Sequence, residues 1–325
     1  MNNFPKAIKR QLTLYLLLFL FSYQCLGQKE GISSSIEKQS FIYSQKDTNH
    51  LGLDVYTQKG SDSNIRKPCI LFVFGGAFIT GHRDDSVYNR YFNTLVEHDY
   101  VVVSISYRLG MRGVQHVSKF NTKPLSRAID MAVEDLYDAT AWVINHAGSL
   151  GIDTSKIILS GSSSGAITIL QSEYDRINEK PLSKKLPDNF NYAGTISFSG
   201  AILSFDWGLK YHKQPAPALL FHGTADQIVP YHKIAFLNKG FYGSGWIAKI
   251  FKKNNYPFDL YSEEDLGHEV AVSPMYDHLP LILEFIQLFV IENKPLQINC
   301  NIKDPTIKPL MTQTSKELLK KLDEK

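Results

Sequence analysis

Between Lys156 and Ile177 the chain is tightly constrained. Lys156-Ile-Ile-Leu-Ser160 is a short apolar run, followed at once by Gly161-Ser-Ser-Ser-Gly165 and then by helical spacing of apolar residues over Ile167–Ile177. A run of that length and composition suits a strand buried on both faces. A strand that turns into a helix without a spacer must make a tight elbow. Glycines two residues to either side of its apex remove the side chains that would collide there. A serine at the apex sits on strained backbone with its hydroxyl thrust out above the sheet. Three serines are adjacent, but only Ser163 has a glycine two residues away on each side. Ser163 is therefore the candidate nucleophile.

The same buried-strand signature recurs at Cys69–Phe74, Tyr100–Ser106, Ala193–Phe198, Ala218–His222 and Phe258–Tyr261. Helical periods fall between these runs, at Val87–His98 and Ala128–His146, and Met275–Ile291 closes the set. Ser40–Ser44 and Leu51–Thr57 read as an antiparallel pair ahead of them. Alternation of this kind predicts one doubly wound α/β domain with a mostly parallel sheet and helices on both faces. We place it at 39–293, after a leader (1–27) and a polar lead-in (28–38). The segment 294–325, ending in a Lys/Glu-rich helical stretch, reads as a solvated extension. Arg108–Leu125 and Leu203–Pro217 are long connections after strands, where substrate walls are normally built.

The strand ending at Phe74 runs into Gly75-Gly76-Ala77-Phe78. Small residues there let the backbone come close to a bound substrate. The N–H groups of Gly76 and Ala77, completed by that of Ser164, are the candidate donors to an oxyanion. Neither a Walker lysine nor G-x-G-x-x-G follows, which argues against a phosphate loop.

A base and its orienting acid must come later in the chain. Phe221-His222-Gly223-Thr224-Ala225-Asp226 places a carboxylate on a turn just past a buried strand, and Gly267-His268-Glu269 follows the last of the strand runs. The order Ser163, Asp226, His268 fits a nucleophile, an orienting acid and a base. Glu263, Glu264 and Asp265 also lie near His268 in sequence, and read better as a solvated turn.

Lys6, Lys9 and Arg10 precede an apolar run from Leu14 to Phe21 and a short polar stretch ending at Gly27. This is the pattern of a secretory leader cut before Gln28, giving a secreted or periplasmic protein. The run is too short for a membrane-spanning anchor. The rival reading is lipid attachment at Cys25. The formal charge of +3 comes from 35 basic and 32 acidic residues. Without the three leader cations the chain is neutral, and no basic stripe suggests nucleic acid as a partner. Cys69 and Cys300 remain and read as two free thiols. No spacing of cysteines or histidines suits a metal.

Taken together, Phe74-Gly-Gly-Ala-Phe78, Ser106-Tyr-Arg-Leu109, Gly161-Ser-Ser-Ser-Gly165, His222-Gly-Thr-Ala-Asp226 and Gly267-His268 resemble the α/β-hydrolase superfamily. Within it they resemble secreted carboxylesterases with hormone-sensitive-lipase-like motifs, and bacterial acetyl or feruloyl esterases. The resemblance covers about Ser40 to Ile291. It implies ester hydrolysis through an acyl-enzyme on Ser163, without a cofactor and without a large cap domain. One departure is Phe74, where the family's oxyanion motif usually opens with histidine, which puts the shape of that loop in question. The sequence leaves a serine exopeptidase and a non-catalytic binding protein of the same fold as alternatives. Phe78, Trp207 and Tyr211 are the candidate substrate wall. The loop residues Arg108, Arg112, Gln115, His116 and Lys119 are polar or basic. Together they suggest short or aromatic acyl groups on small or carbohydrate-linked esters. Oligomeric state is not legible.

Overall fold

The computed structural model describes residues 31–46, 49–114, 122–311, 314 and 317. The leader, with Cys25 and Gly27, lies outside the described residues. So do Gln115, His116 and Lys119 and most of the terminal Lys/Glu-rich stretch.

Twelve strands are present among the described residues: β1 Ile36–Lys46, β2 Asn49–Gln58, β3 Lys67–Val73, β4 Val101–Ile105, β5 Ile152–Ser162, β6 Gly194–Phe198, β7 Ala201–Ser204, β8 Ala218–Gly223, β9 Lys233–Phe236, β10 Lys239–Gly243, β11 Phe258–Glu263 and β12 Gln297–Ile302. Nine form the main sheet in the order β1-β2-β4-β3-β5-β6-β8-β11-β12. β1 and β2 are antiparallel to each other, β2 is antiparallel to β4, and every pairing from β4 to β12 is parallel. The apolar runs read from sequence are its central strands. β3, β4, β6, β8 and β11 carry almost only buried residues, as a sheet covered on both faces requires.

The helices follow the expected alternation: α1 Asn89–Glu97, α2 Lys123–Leu150, α3 Ser164–Ile177, α4 Ser244–Lys253, α5 Pro274–Asp277 and α6 Leu279–Phe285. α2 packs on α3, and α1 packs on α5 and α6. The continuous helix expected over Met275–Ile291 is broken at His278, whose φ of −123° is not helical. Pro280 explains the break, since a proline lacks the N–H for the preceding turn and its ring crowds the residue before it. A π-helical turn, Ile286–Ile291, completes the segment.

Two features were not legible. β7, β10 and β9 make a second, three-stranded antiparallel sheet. The C-terminal extension is also not merely a solvated appendage. β12 adds to the main sheet in parallel register with β11, from Phe258↔Gln297 to Glu263↔Ile302. Its alternating exposed and half-buried residues are those of an edge strand, which a search for continuous apolar runs passes over. Cys69 on β3 and Cys300 on β12 are both free and stand five strands apart, about 24 Å at ordinary strand spacing.

A chain ended after Lys294 loses a whole ladder along β11. Thermal unfolding followed by circular dichroism should show the midpoint lowered by more than about 5 °C, given about 1 kcal/mol net per hydrogen bond. An unchanged midpoint would restore the solvated-appendage reading.

Candidate active site

The site lies where β3, β5, β8 and β11 end, since each of these parallel strands delivers one part of it. Past β5 the backbone turns so sharply that Ser163 adopts φ 51°, ψ −115° before α3 begins at Ser164. The cause is steric. A Cβ on Gly165 would lie 2.0 Å from the Val73 carbonyl oxygen, so the first turn of α3 can rest on β3 only because that side chain is absent. The Ser163 N–H donates to the Phe198 carbonyl (2.9 Å), which pins the elbow to β6.

The three residues singled out from sequence meet. Ser163 Oγ is 2.7 Å from His268 Nε2, and His268 Nδ1 is 2.7 Å from Asp226 Oδ2. All three are buried, so the chain of hydrogen bonds is sheltered from water. His268 starts a short 3₁₀ turn, His268–Ala271, directly after the β11 loop. The nearby acids do not compete. Asp265 and Glu264 bridge to Lys303, and Glu263 Oε1 is 2.9 Å from His278 Nε2.

Asp226 is held by more than the base. Its Oδ1 accepts from the Ile228 and Val229 N–H groups at 2.8 and 3.0 Å. Its Oδ2 is also 3.4 Å from His222 Nε2. Burial alone would raise the Asp226 carboxyl. The charge of His268 and hydrogen bonds from His222 and His268 outweigh burial and hold it well below the usual carboxylate range. His222 was only part of a quoted motif in the sequence, and its role emerges here. Its Nδ1 meets Ser244 Oγ at 2.8 Å, and its Nε2 lies 3.1 Å from the Val229 carbonyl. In the tautomer with its proton on Nε2, the ring donates to the Val229 carbonyl and accepts from Ser244 at Nδ1.

The oxyanion side comes from β3. Gly76 has φ 132°, and a Cβ there would come within 2.0 Å of the Thr80 carbonyl oxygen. The Gly76 carbonyl in turn accepts from the N–H groups of Ile79 and Thr80. Among the described residues no acceptor meets the N–H of Gly76, Ala77 or Ser164. They stand beside the nucleophile, because Gly75 packs against Ser162 and Ser163. Phe74, the departure noted above, packs on Tyr107 with ring centres 4.6 Å apart and planes tilted by 33°. The Tyr107 hydroxyl donates to the Phe74 carbonyl (3.0 Å) and lies 3.2 Å from Ser164 Oγ. Burial pushes that phenol up, so it stays a neutral donor joining β3 to α3. The loop support that a histidine would supply is thus met from β4's end.

The proposed substrate wall needs correction. Tyr211 packs against Tyr174, Phe251 and Tyr256. Its neighbours Lys210 and His212 are hydrogen-bonded to Asn178, the residue that ends α3. That end is 14 helical residues from Ser163, about 20 Å. Trp207 lies on the same excursion, under the Lys239 ammonium. The reason is β7, which leaves β6 immediately and runs along α3 away from the site. Phe78 is near the site but fully buried against Tyr107, beneath the oxyanion loop. Arg108 does not face a pocket either, since it is bound to Asp135 and Glu134 on α2. Arg112 donates to the Ile79 carbonyl and so braces the oxyanion loop. Beside the base, Glu269 accepts from the N–H groups of Gly267, Leu310 and Met311, and so seats the tail against the histidine loop.

The BD-FAE family profile matches residues 53–200, from β2 through the elbow to the end of β6. Esterase 2 of Thermogutta terrifontis superposes with a TM-score of 0.60 over 81% of this chain and 97% of its own, at 22% identity. The chain has the α/β-hydrolase fold. Curated relatives include the cAMP-regulated D2 protein of Dictyostelium discoideum, 31% identical over 39% of this chain and 22% of that protein. Another is the para-nitrobenzyl esterase of Bacillus subtilis (strain 168), 28% identical over 37% of this chain and 23% of its own. The chain spans about a fifth of the length of these relatives.

Within this fold the roles of the three serines separate. Ser162 Oγ donates to the Ala271 carbonyl (2.8 Å) and Ser164 Oγ meets Tyr107, which leaves Ser163 alone aimed at the base. On the hydrolase reading proposed below, Ser163→Ala should lower ester turnover at least about 10³-fold with unchanged circular dichroism, and Ser162→Ala and Ser164→Ala should be far milder. Asp226→Asn should cost about 10²–10⁴-fold, while Asp265→Asn stays close to the parent. A crippled Asp265→Asn enzyme would move the acid to the other loop.

Proposed function

We propose that the protein is a serine carboxylesterase that hydrolyses short-chain or aromatic acyl esters, carbohydrate-linked ones among them. The observation that carries the reading is the continuous hydrogen-bonded series Asp226–His268–Ser163, with both links at 2.7 Å and the serine on a strained elbow. In the reaction Ser163 Oγ attacks the ester carbonyl carbon as its proton passes to His268 Nε2. The carbonyl oxygen gains the negative charge and receives hydrogen bonds from the N–H groups of Gly76, Ala77 and Ser164. Removing one such donor typically costs about 10²–10³ in rate. His268 then protonates the departing alkoxide, leaving Ser163 acylated. A water molecule attacks the acyl-enzyme, giving its proton to His268, which passes it to Ser163 Oγ as the bond to the acyl carbon breaks and the acid is released. Asp226 keeps the imidazole in the tautomer with its proton on Nδ1 and stabilises the imidazolium in between.

The size of the acyl group rests on what surrounds Ser163. Phe74, Phe78 and Tyr107 are closely packed under the oxyanion loop rather than parted around a channel. Among the described residues the insertions beyond β6 and β8 are a short antiparallel sheet, with no helical cap. Esterase 2 of T. terrifontis has been solved with propionate and with butyrate bound, acyl groups of the proposed size. Across p-nitrophenyl esters, kcat/KM should peak at about two to four acyl carbons and fall steeply by about ten. A continued rise through dodecanoate would show a lipid channel and make the enzyme a lipase.

We also propose that the protein is exported, on the strength of the basic-then-apolar leader. N-terminal sequencing of the protein recovered outside the cytoplasm should begin at Gln28. A lipid-modified Cys25 at the N-terminus would replace free secretion with anchoring.

A further inference from the structure

The β9–β10 hairpin has an unusual surface. β9 and β10 are joined by a two-residue turn, Leu237-Asn238, with φ 47° and 59°, the positive-φ pair that suits the twist of a tight hairpin. β9 is the free edge of its sheet and all four of its residues are exposed. Phe236 is 80% exposed, Ile234 69%, Leu237 62% and the adjoining Trp207 60%. Single exposed apolar residues are ordinary, but four on one hairpin and its neighbour form a patch of the kind that marks an interaction surface.

The charge around the patch says which kind. From Ile228 to Phe258 the chain contains Lys233, Lys239, Lys249, Lys252 and Lys253 and no aspartate or glutamate. Lys239 lies over the Trp207 ring at 4.5 Å, and Lys233 and Lys249 lie over Trp246 at 4.1 and 4.9 Å. The apolar tip thus has Trp207 and Lys239 beside it and Trp246, Lys233 and Lys249 at the opposite end of the hairpin, while Asp206 next to Trp207 is paired with Lys180. A second copy of the chain fits poorly, because pairing two β9 edges would bring like charges together, and lysine on an edge strand opposes such pairing. A nucleic acid would use the lysines but gain nothing from Ile234 and Leu237. A bilayer with anionic headgroups uses all three features: acyl chains for Phe236 and Leu237, the headgroup layer for the tryptophans, and surface charge for the lysines.

We propose that the β9–β10 hairpin, with Trp207 and Trp246 at its base, docks the protein peripherally on an anionic lipid surface. No helix among the described residues is long and apolar enough to cross a membrane. The turn of the hairpin lies at the Ser204 end of β7, away from the elbow, so docking there leaves the triad untouched.

The test is sedimentation of the full chain without its leader, mixed with phosphatidylcholine vesicles containing about 30 mol% phosphatidylglycerol, or with phosphatidylcholine alone. The expected result is pelleting with the mixed vesicles, at least about tenfold weaker with phosphatidylcholine or in about 0.5 M salt. The double variant Phe236→Ser, Leu237→Ser and the charge variant Lys233→Glu, Lys239→Glu should each weaken pelleting about tenfold and leave hydrolysis of a soluble ester unchanged. Sedimentation velocity without vesicles should show no concentration-dependent association. Equal behaviour on both vesicle types, binding retained by both variants, or self-association abolished by the double variant would overturn the proposal, the last in favour of a second copy.

Discussion

The structure depends on the contact between Gly165 and the end of β3. Because no side chain stands there, the first turn of α3 settles against the Val73 carbonyl, and the chain between strand and helix has to pass through Ser163 at positive φ. Such a conformation costs on the order of 1–3 kcal/mol for a residue with a side chain. It persists because the neighbours leave no alternative. Phe198 accepts the serine's own N–H from one side, and Gly75 closes against Ser162 and Ser163 from the other. The same close approach that strains the serine also places the Ser164 N–H and the Gly76–Ala77 backbone around it. A methyl group at Gly165 would move nucleophile and oxyanion donors apart together.

The electrostatic part of the site follows from burial. A carboxylate removed from water is stable only when its oxygens are met by donors, and Asp226 has two backbone N–H groups on one oxygen and two imidazoles near the other. The turn after β8 supplies the N–H groups. His222, itself held by Ser244, supplies a second contact to the carboxylate. Tyr107 has the corresponding role on the nucleophile side, where its hydroxyl ties the end of β3 to the start of α3. It explains why phenylalanine is tolerated at position 74: the ring packs on Tyr107 and the backbone does the polar work.

Local pattern was enough where a segment's role is set by its own residues. Buried strands are continuous apolar runs because both faces of the central sheet are covered, so β3, β4, β5, β6, β8 and β11 could be read directly. Ser163 was distinguishable from its two neighbours because glycine spacing reflects a collision that any such elbow must avoid. The reading failed where a role is set by partners. β12 alternates between half-buried and exposed residues at the sheet's edge, and only its ladder with β11 reveals it. β7 could have led its aromatic loop over the site or away from it, and nothing within residues 201–211 says which.

By itself, then, the sequence determined the alternation of strand and helix, the elbow with its nucleophile, and the order of acid and base, since each arises from interactions within a few residues. The tertiary structure decided which groups converge across long separations. It brought His268 to Ser163 across 105 positions, gave Asp226 its second histidine, and seated the tail on Glu269. It also sent Trp207 and Tyr211 to the far end of α3. The physical reason is that distance along the chain fixes local sterics and periodicity, whereas the direction in which a strand leaves the sheet is chosen by the surfaces available to bury it.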